Sequence, residues 1–164
     1  MLFEILILIS LTLIPLIELR LAIPVGILSG NILLPLGITL SGLALDPLLV
    51  FLLVVIVNIF LGFLLFEFFH KMDSQMVNSQ FSKAYLKLKR TRSSNLKKYI
   101  NKYGIVGFSL FIGTPLPGSG VYSGSLGAYV LGLKRRDFYI ANILGVTFSG
   151  IIVTLLTILG KMIF

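Results

Sequence analysis

The residues best placed to do chemistry are Glu18 and Arg20. They stand in apolar company, between the run Ile5 to Ile17 and an apolar stretch that resumes to Leu45. An ionisable side chain in hydrocarbon is expensive and marks a functional site by default. The i, i+2 spacing sets the two on different faces of a helix but on one side of an extended bend. They therefore either pair inside an unwound tip or each meet a partner elsewhere. Burial and a neighbouring guanidinium act on a carboxylate in opposite senses, and that competition can bring its protonation into a working range. The chemistry is that of a proton-coupling carboxylate at Glu18, with Arg20 as a substrate-binding or ion-pairing cation. The competing reading is a structural ion pair that holds a tip together.

The second group is Pro115-Leu116-Pro117-Gly118-Ser119-Gly120, followed by Val121-Tyr122-Ser123-Gly124. Proline removes a backbone donor and glycine adds freedom, so this stretch cannot be regular helix. It nevertheless lies inside the apolar run Gly104 to Leu133, and broken backbone at membrane depth survives only where protein buries it or a polar cavity meets it. The expected half-helix Val121 to Leu131 would turn its free N–H groups toward the membrane interior. That makes an anion site from Ser119, Gly120 and Ser123, with Pro115, Pro117 and Gly118 forming the bend. Alternatively the glycines serve only close helix packing. Pro24 marks the corresponding bend of the first hairpin. Asn58, alone in an apolar span, is expected to support a bend by hydrogen bonding.

The elements that hold these residues follow from composition. The chain has 164 residues, 57% hydrophobic and 12% charged, with a mean hydropathy of +1.03. A soluble domain of that size cannot hide so much apolar surface, so lipid is its solvent. There is no cysteine and one histidine, His70. This excludes thiolate chemistry and argues against a histidine triad or a multi-histidine metal site. No enzyme activity, cofactor or metal is expected. The net charge of +8 belongs to loops beside apolar spans, which argues against nucleic acid. Met1 to Glu4 carries no basic residue, so a cleavable signal peptide is not expected.

Ile5 to Ile17 is too short to cross a bilayer core, which takes about 20 helical residues. It reads as one arm of a re-entrant hairpin over 5–40, rather than one of two ordinary spans. Asp46-Pro47 starts a helix, and 47–66 is a true span. Residues 67–103 form a basic amphipathic linker, which either binds anionic headgroups or only fixes topology. A second broken run occupies 104–133 and a second span 138–160. Twelve of the fourteen Lys/Arg lie between Glu67 and Lys102 or at Lys134 to Arg136. If the second run enters and leaves on one side, all twelve share the cytoplasm, as the positive-inside rule requires. Both termini are then outside. The fold expected is an all-α integral membrane protein. It has two inverted repeats, 1–66 and 104–164, each a re-entrant helical hairpin plus one transmembrane helix. Val25 to Gly30 also aligns weakly with Ser119 to Gly124. Inverted repeats with broken helices point to a secondary transporter.

Several motifs in order carry a resemblance. They are Glu18-Leu19-Arg20 with Ala22-Ile23-Pro24, Asn58, Lys102-Tyr103-Gly104, and Pro115 to Gly120 with Tyr122-Ser123-Gly124. With these the chain resembles the small multi-drug export protein family. Its layout is similar to the wider DedA, or SNARE-associated (VTT), membrane proteins. Tyr122 stands where that family often has tryptophan. The resemblance implies a small multi-pass transporter of the prokaryotic plasma membrane. Relatives in the DedA group are implicated in proton-coupled physiology and in moving polyprenyl-phosphate carriers, and VTT relatives scramble lipids. The preferred expectation is lipid translocation, with an anionic lipid as substrate. The alternatives are export of cationic or lipophilic drugs, lipid scrambling, and a non-transporting scaffold. Membrane lipids are the expected partners, and four membrane elements make a homodimer plausible.

Overall fold

A computed structural model describes residues 2–15, 17–33, 39–76, 94–115 and 118–163. The described elements are α1 (Leu2–Leu13), α2 (Glu18–Ile27), β1 (Ser29–Leu33), β2 (Thr39–Leu43), α3 (Pro47–Met76), α4 (Ser94–Gly113), α5 (Val121–Leu131) and α6 (Arg135–Ile163). Pro117, assigned to a bend, and residues 77–93 of the expected amphipathic linker lie outside the described residues.

α3 starts where the sequence places it. The Asp46 carboxylate accepts from the amides of Leu48 and Leu49, both at 3.0 Å, which satisfies two of the first orphan donors of a helix. Among the described residues two stretches are long and apolar enough to cross a membrane, Pro47–Lys71 and Arg135–Met162. Their faces are sorted as lipid demands. On α3 the exposed stripe is Leu52, Ile56, Phe60, Leu64 and Phe68, while Val50, Val54, Asn58 and Phe66 are buried. On α6 the exposed side carries Leu144, Phe148, Ile151, Leu155 and Leu159, while Asn142, Ser149 and Thr157 point inward. Apolar outside and polar inside is the reverse of a soluble helix. The protein is a membrane protein.

α3 and α6 run antiparallel against each other. The Phe66 and Phe138 rings stack at 4.3 Å. Asn142 lies on Gly62, and Val55 and Phe51 lie on Gly150, where an added Cβ would collide with them. α5 runs beside α3 in the same direction: Ser125 Oγ reaches the Gly62 carbonyl at 3.4 Å, and the Tyr129 ring meets Phe69 and His70.

The remaining helices come as two broken pairs, α1 with α2 and α4 with α5. At 1.5 Å per residue, α1, α2 and α5 are each about 15–18 Å long, roughly half a hydrocarbon core. The first break falls at Ile14 to Ile17, around Pro15, and not over Glu18 to Pro24. Pro24 is therefore inside α2 rather than in a bend. Pro15 already interrupts the ladder, and the lost amide of a proline near a helix end removes a single bond. The weak identity between Val25–Gly30 and Ser119–Gly124 does not follow the elements: Val25 to Ile27 end one helix, whereas Ser119 and Gly120 precede another.

The all-α expectation needs a further correction. The stretch after α2 is a two-stranded antiparallel ribbon and not a half-helix, with Ser29 paired to Leu43 and Leu33 to Thr39. Leu28 is already extended, Gly30 has a φ of +89°, and Ser29, Gly30, Thr39, Ser41 and Gly42 are poor helix formers. The ribbon is tied back by the Ala44 amide on the Leu28 carbonyl (3.1 Å) and the Leu45 amide on the Gly26 carbonyl (2.9 Å). Gly42 abuts the Leu28 carbonyl so closely that any side chain would overlap it.

Candidate functional site

The two breaks meet. Glu18 opens α2 with a φ of +44°, a left-handed conformation that few non-glycine residues adopt and that clusters at functional positions. This aims its carboxylate across the molecule at the first turn of α5. Oε2 accepts from the Val121 amide at 3.3 Å and Oε1 from the Tyr122 amide at 3.4 Å. The carboxylate is 4% exposed, and it occupies the spot where the α5 dipole is most positive. The anion site expected at the start of α5 is filled from inside the chain, because the anion is Glu18.

Gly120 makes this approach possible. Its φ is +114°, and a Cβ there would overlap both Glu18 carboxylate oxygens. Gly118, at φ +88°, has open space around its Cα, so it is needed for its backbone angle alone. Ser123 sits in the first turn of α5, partly buried.

Arg20 reaches the other side of the same break. Its Nη2 donates to the Thr114 carbonyl at 3.1 Å and to Ser119 Oγ at 2.8 Å. Ser119 Oγ donates in turn to the Thr114 carbonyl at 2.6 Å. Tyr122 Oη donates to the Leu13 carbonyl at 2.5 Å, an orphan acceptor at the end of α1. Each broken pair thus satisfies polar groups that the break in the other leaves open. Glu18 and Arg20 do not simply close on each other; both cross to the opposite break.

An open cavity of about 900 Å³ lies beside this crossing. Its walls are Pro24 and Leu28 of α2, Ser29 and Ile32 of β1, Pro115, and one side of α6 from Val153 to Lys161. Among its described lining residues only Arg20 and Lys161 are ionisable. Glu18 does not line it. The cavity therefore offers cations and apolar wall to whatever enters.

Asn58 is fully buried at the level of the crossing, but neither of its amide atoms meets a hydrogen-bond partner among the described residues. The expected bond to a bend is not seen among the described residues. Sequence reasoning gives no reason to single out Thr114, Lys161 or Asn142. Thr114 acts through its backbone, Lys161 reads as a terminal charge, and Asn142 is one polar residue in a long span.

A search of family models places residues 18–152 within the small multi-drug export protein family, and the chain belongs to that family. The match begins at Glu18, just after the first break, and takes in α3, the second break and α6 as far as Ile152. No curated protein and no solved structure matches the chain.

Proposed function

We propose that this member of the small multi-drug export family is a proton-coupled transporter of an anionic amphiphile, with a lipid phosphate such as a polyprenyl phosphate as the fitting substrate. The observation that carries this reading is the division of charge at the crossing. Arg20 and Lys161 face the cavity, while Glu18 is withdrawn onto the α5 N-terminus. An anionic headgroup would find a guanidinium, whose planar fork suits phosphate. An apolar tail would lie along Leu28, Ile32, Val153 and Leu156.

The coupling step follows from competition for one set of donors. While Glu18 is ionised it fills the α5 N-terminus. When it takes a proton it becomes a weaker acceptor, and the Val121 and Tyr122 amides are released to an incoming anion beside Arg20. The proton and the substrate anion thus exchange places at one helix end, and neither charge is stranded in hydrocarbon. In this reading the two broken pairs are re-entrant hairpins, and the halves of the chain are inverted with respect to each other.

Export of cationic drugs is the rival, closer to the family's description and supported by the apolar cavity walls. It needs Glu18 as a counter-charge, yet the carboxylate is turned away from the cavity and held by two amides. Reconstituted protein decides between them. Arg20→Lys should weaken binding of a phosphate lipid while leaving a lipophilic cation unaffected. Glu18→Gln should keep lipid binding and lose the pH dependence of translocation. If Glu18→Gln instead abolishes binding of the cation and Arg20→Lys is mild, the drug reading replaces this one. If neither variant changes transport, the crossing is only structural.

A further inference from the structure

Three buried polar side chains, Asn58 on α3 and Asn142 and Ser149 on α6, play no part in the crossing. Asn58 has both amide atoms without a hydrogen-bond partner among the described residues, and Asn142 Oδ1 and Ser149 Oγ are likewise unpartnered. All three are at most 1% exposed. An amide or hydroxyl left unpaired in an apolar core costs about 1–3 kcal/mol by protein mutational data.

Their placement is a line. Asn142 lies on Gly62, one helical turn from Asn58, and its Nδ2 donates to the Ile59 carbonyl at 3.0 Å. That bond fixes the side chain and leaves Oδ1 facing the interface. Ser149 is two turns further along the same face of α6, and Val153 and Thr157, the next positions on that face, line the cavity. In the other direction, Tyr139 is one turn from Asn142, and its hydroxyl donates to Glu67 Oε1 at 2.6 Å. Glu67 lines another opening of about 790 Å³ with His70, Lys71 and Arg135. The contact of Ser125 with Gly62, one turn further along both parallel helices, puts Val121 level with Asn58. Val121 is the residue whose amide holds Glu18.

We infer that Asn58 and Asn142 form a hydrated seam that conducts protons between Glu18 and the Glu67 opening, with Ser149 on the side of the Arg20 cavity. An asparagine offers one donor pair and one acceptor, and a water needs two to four polar partners. Asn142 Oδ1 and the Asn58 amide supply them from facing helices. The asparagines do not titrate; they hold the waters in line. A proton leaving the Glu18 carboxyl passes to the first water, each water hands one on, and the last is taken up by bulk water at the Glu67 opening, leaving Glu18 as carboxylate. The described titratable groups facing the route are Arg20 and Tyr122 beside Glu18, and Tyr139, Arg135, His70 and Lys71 at the other end. The inference rests on Glu18 carrying the coupling proton, and the test separates the two ideas.

The full-length protein is reconstituted in vesicles loaded with a pH dye, and a pH step is imposed with the potential clamped by potassium and valinomycin. Wild type should conduct protons above protein-free vesicles. Asn58→Leu and Asn142→Leu should each lower that flux at least about tenfold, the scale of one lost hydrogen bond to a relayed charge, while Asn58→Ser should retain most of it. Glu18→Gln should also stop the flux. If Glu18→Gln stops it and the leucine variants do not, the seam is wrong and Glu18 keeps its role. If the leucine variants stop it and Glu18→Gln does not, the seam stands and the proton role of Glu18 falls. Flux no greater than in empty vesicles overturns both. Solid-state NMR on the wild type guards against misfolded variants. Magnetisation from water should reach the Asn58 and Asn142 side-chain amides as readily as the Arg20 guanidinium, which lines the open cavity. No transfer to either asparagine means a dry seam and overturns the inference.

Discussion

At the residue scale the crossing depends most on a position with no side chain. Gly120 has a φ of +114° and lies against the Glu18 carboxylate. Gly120→Ala should therefore cost about 1–3 kcal/mol for the backbone angle alone, and should push Glu18 off the α5 amides. Thermal melting in detergent should show the loss, and the pH dependence of transport should weaken as it does in Glu18→Gln. Gly107→Ala is the control. It lies in α4, where an added Cβ meets nothing within 4 Å, and it should be neutral or stabilising by up to about 1 kcal/mol. If the two alanines melt alike, the close approach of Gly120 to Glu18 carries no weight. Glu18 and Arg20 were legible in the sequence because a charge in hydrocarbon is conspicuous on its own. Their partners were not. The amides of Val121 and Tyr122 and the carbonyls of Thr114 and Leu13 are backbone groups that every residue has. Only the fold determines which of them meet.

At the element scale, the long spans and the second break could be read from length, apolarity and the placement of proline, whereas the first break was expected over Glu18 to Pro24 and falls at Pro15. The ribbon β1–β2 could not. A run of mixed apolar and small residues fits a half-helix or a pair of short strands equally well, and periodicity does not separate them at that length. What decides it is tertiary: the Leu28 and Gly26 carbonyls accept from Ala44 and Leu45 and pull the ribbon onto the end of α2. An open two-stranded ribbon has unpaired amides along both edges, so it belongs at the membrane surface and not in the core. Gly62 tests the packing of the long helices in the same spirit. Asn142 sits directly on it. Gly62→Ala should separate α3 from α6 and cost about 1–3 kcal/mol, the usual penalty of overpacking. It should also break the bond from Asn142 to the Ile59 carbonyl. Melting of Gly62→Ala against Gly62→Ala with Asn142→Ala checks this, because removing the amide should recover part of the loss if the two residues are in contact.

At the scale of the whole molecule, the charges and the cavities predict an orientation. The end of α3 at Glu67 and Lys71 and the start of α6 at Arg135 share one face, with the opening between them. Asp46, the ribbon and Lys161 belong to the opposite end, where the cavity beside Arg20 lies. Twelve of the fourteen Lys/Arg fall in the segments attached to the first of these faces. The positive-inside rule then sets that face in the cytoplasm. The cavity with Arg20 is then predicted to open outward, with both termini outside. Single cysteines check this in sealed cells, since the chain has none of its own. Ala44→Cys should react with a membrane-impermeant reagent added outside, because Ala44 is exposed at the foot of the ribbon. Arg135→Cys and Gln80→Cys should react only after the membrane is opened. Labelling of Arg135→Cys from outside would invert the molecule. The Glu67 opening would then face the exterior, and the direction of the proton gradient that loads Glu18 would reverse with it. Labelling of both Ala44→Cys and Arg135→Cys in intact cells would mean a dual orientation. In that case the twelve clustered cations would not fix topology, and their role would pass to binding anionic headgroups.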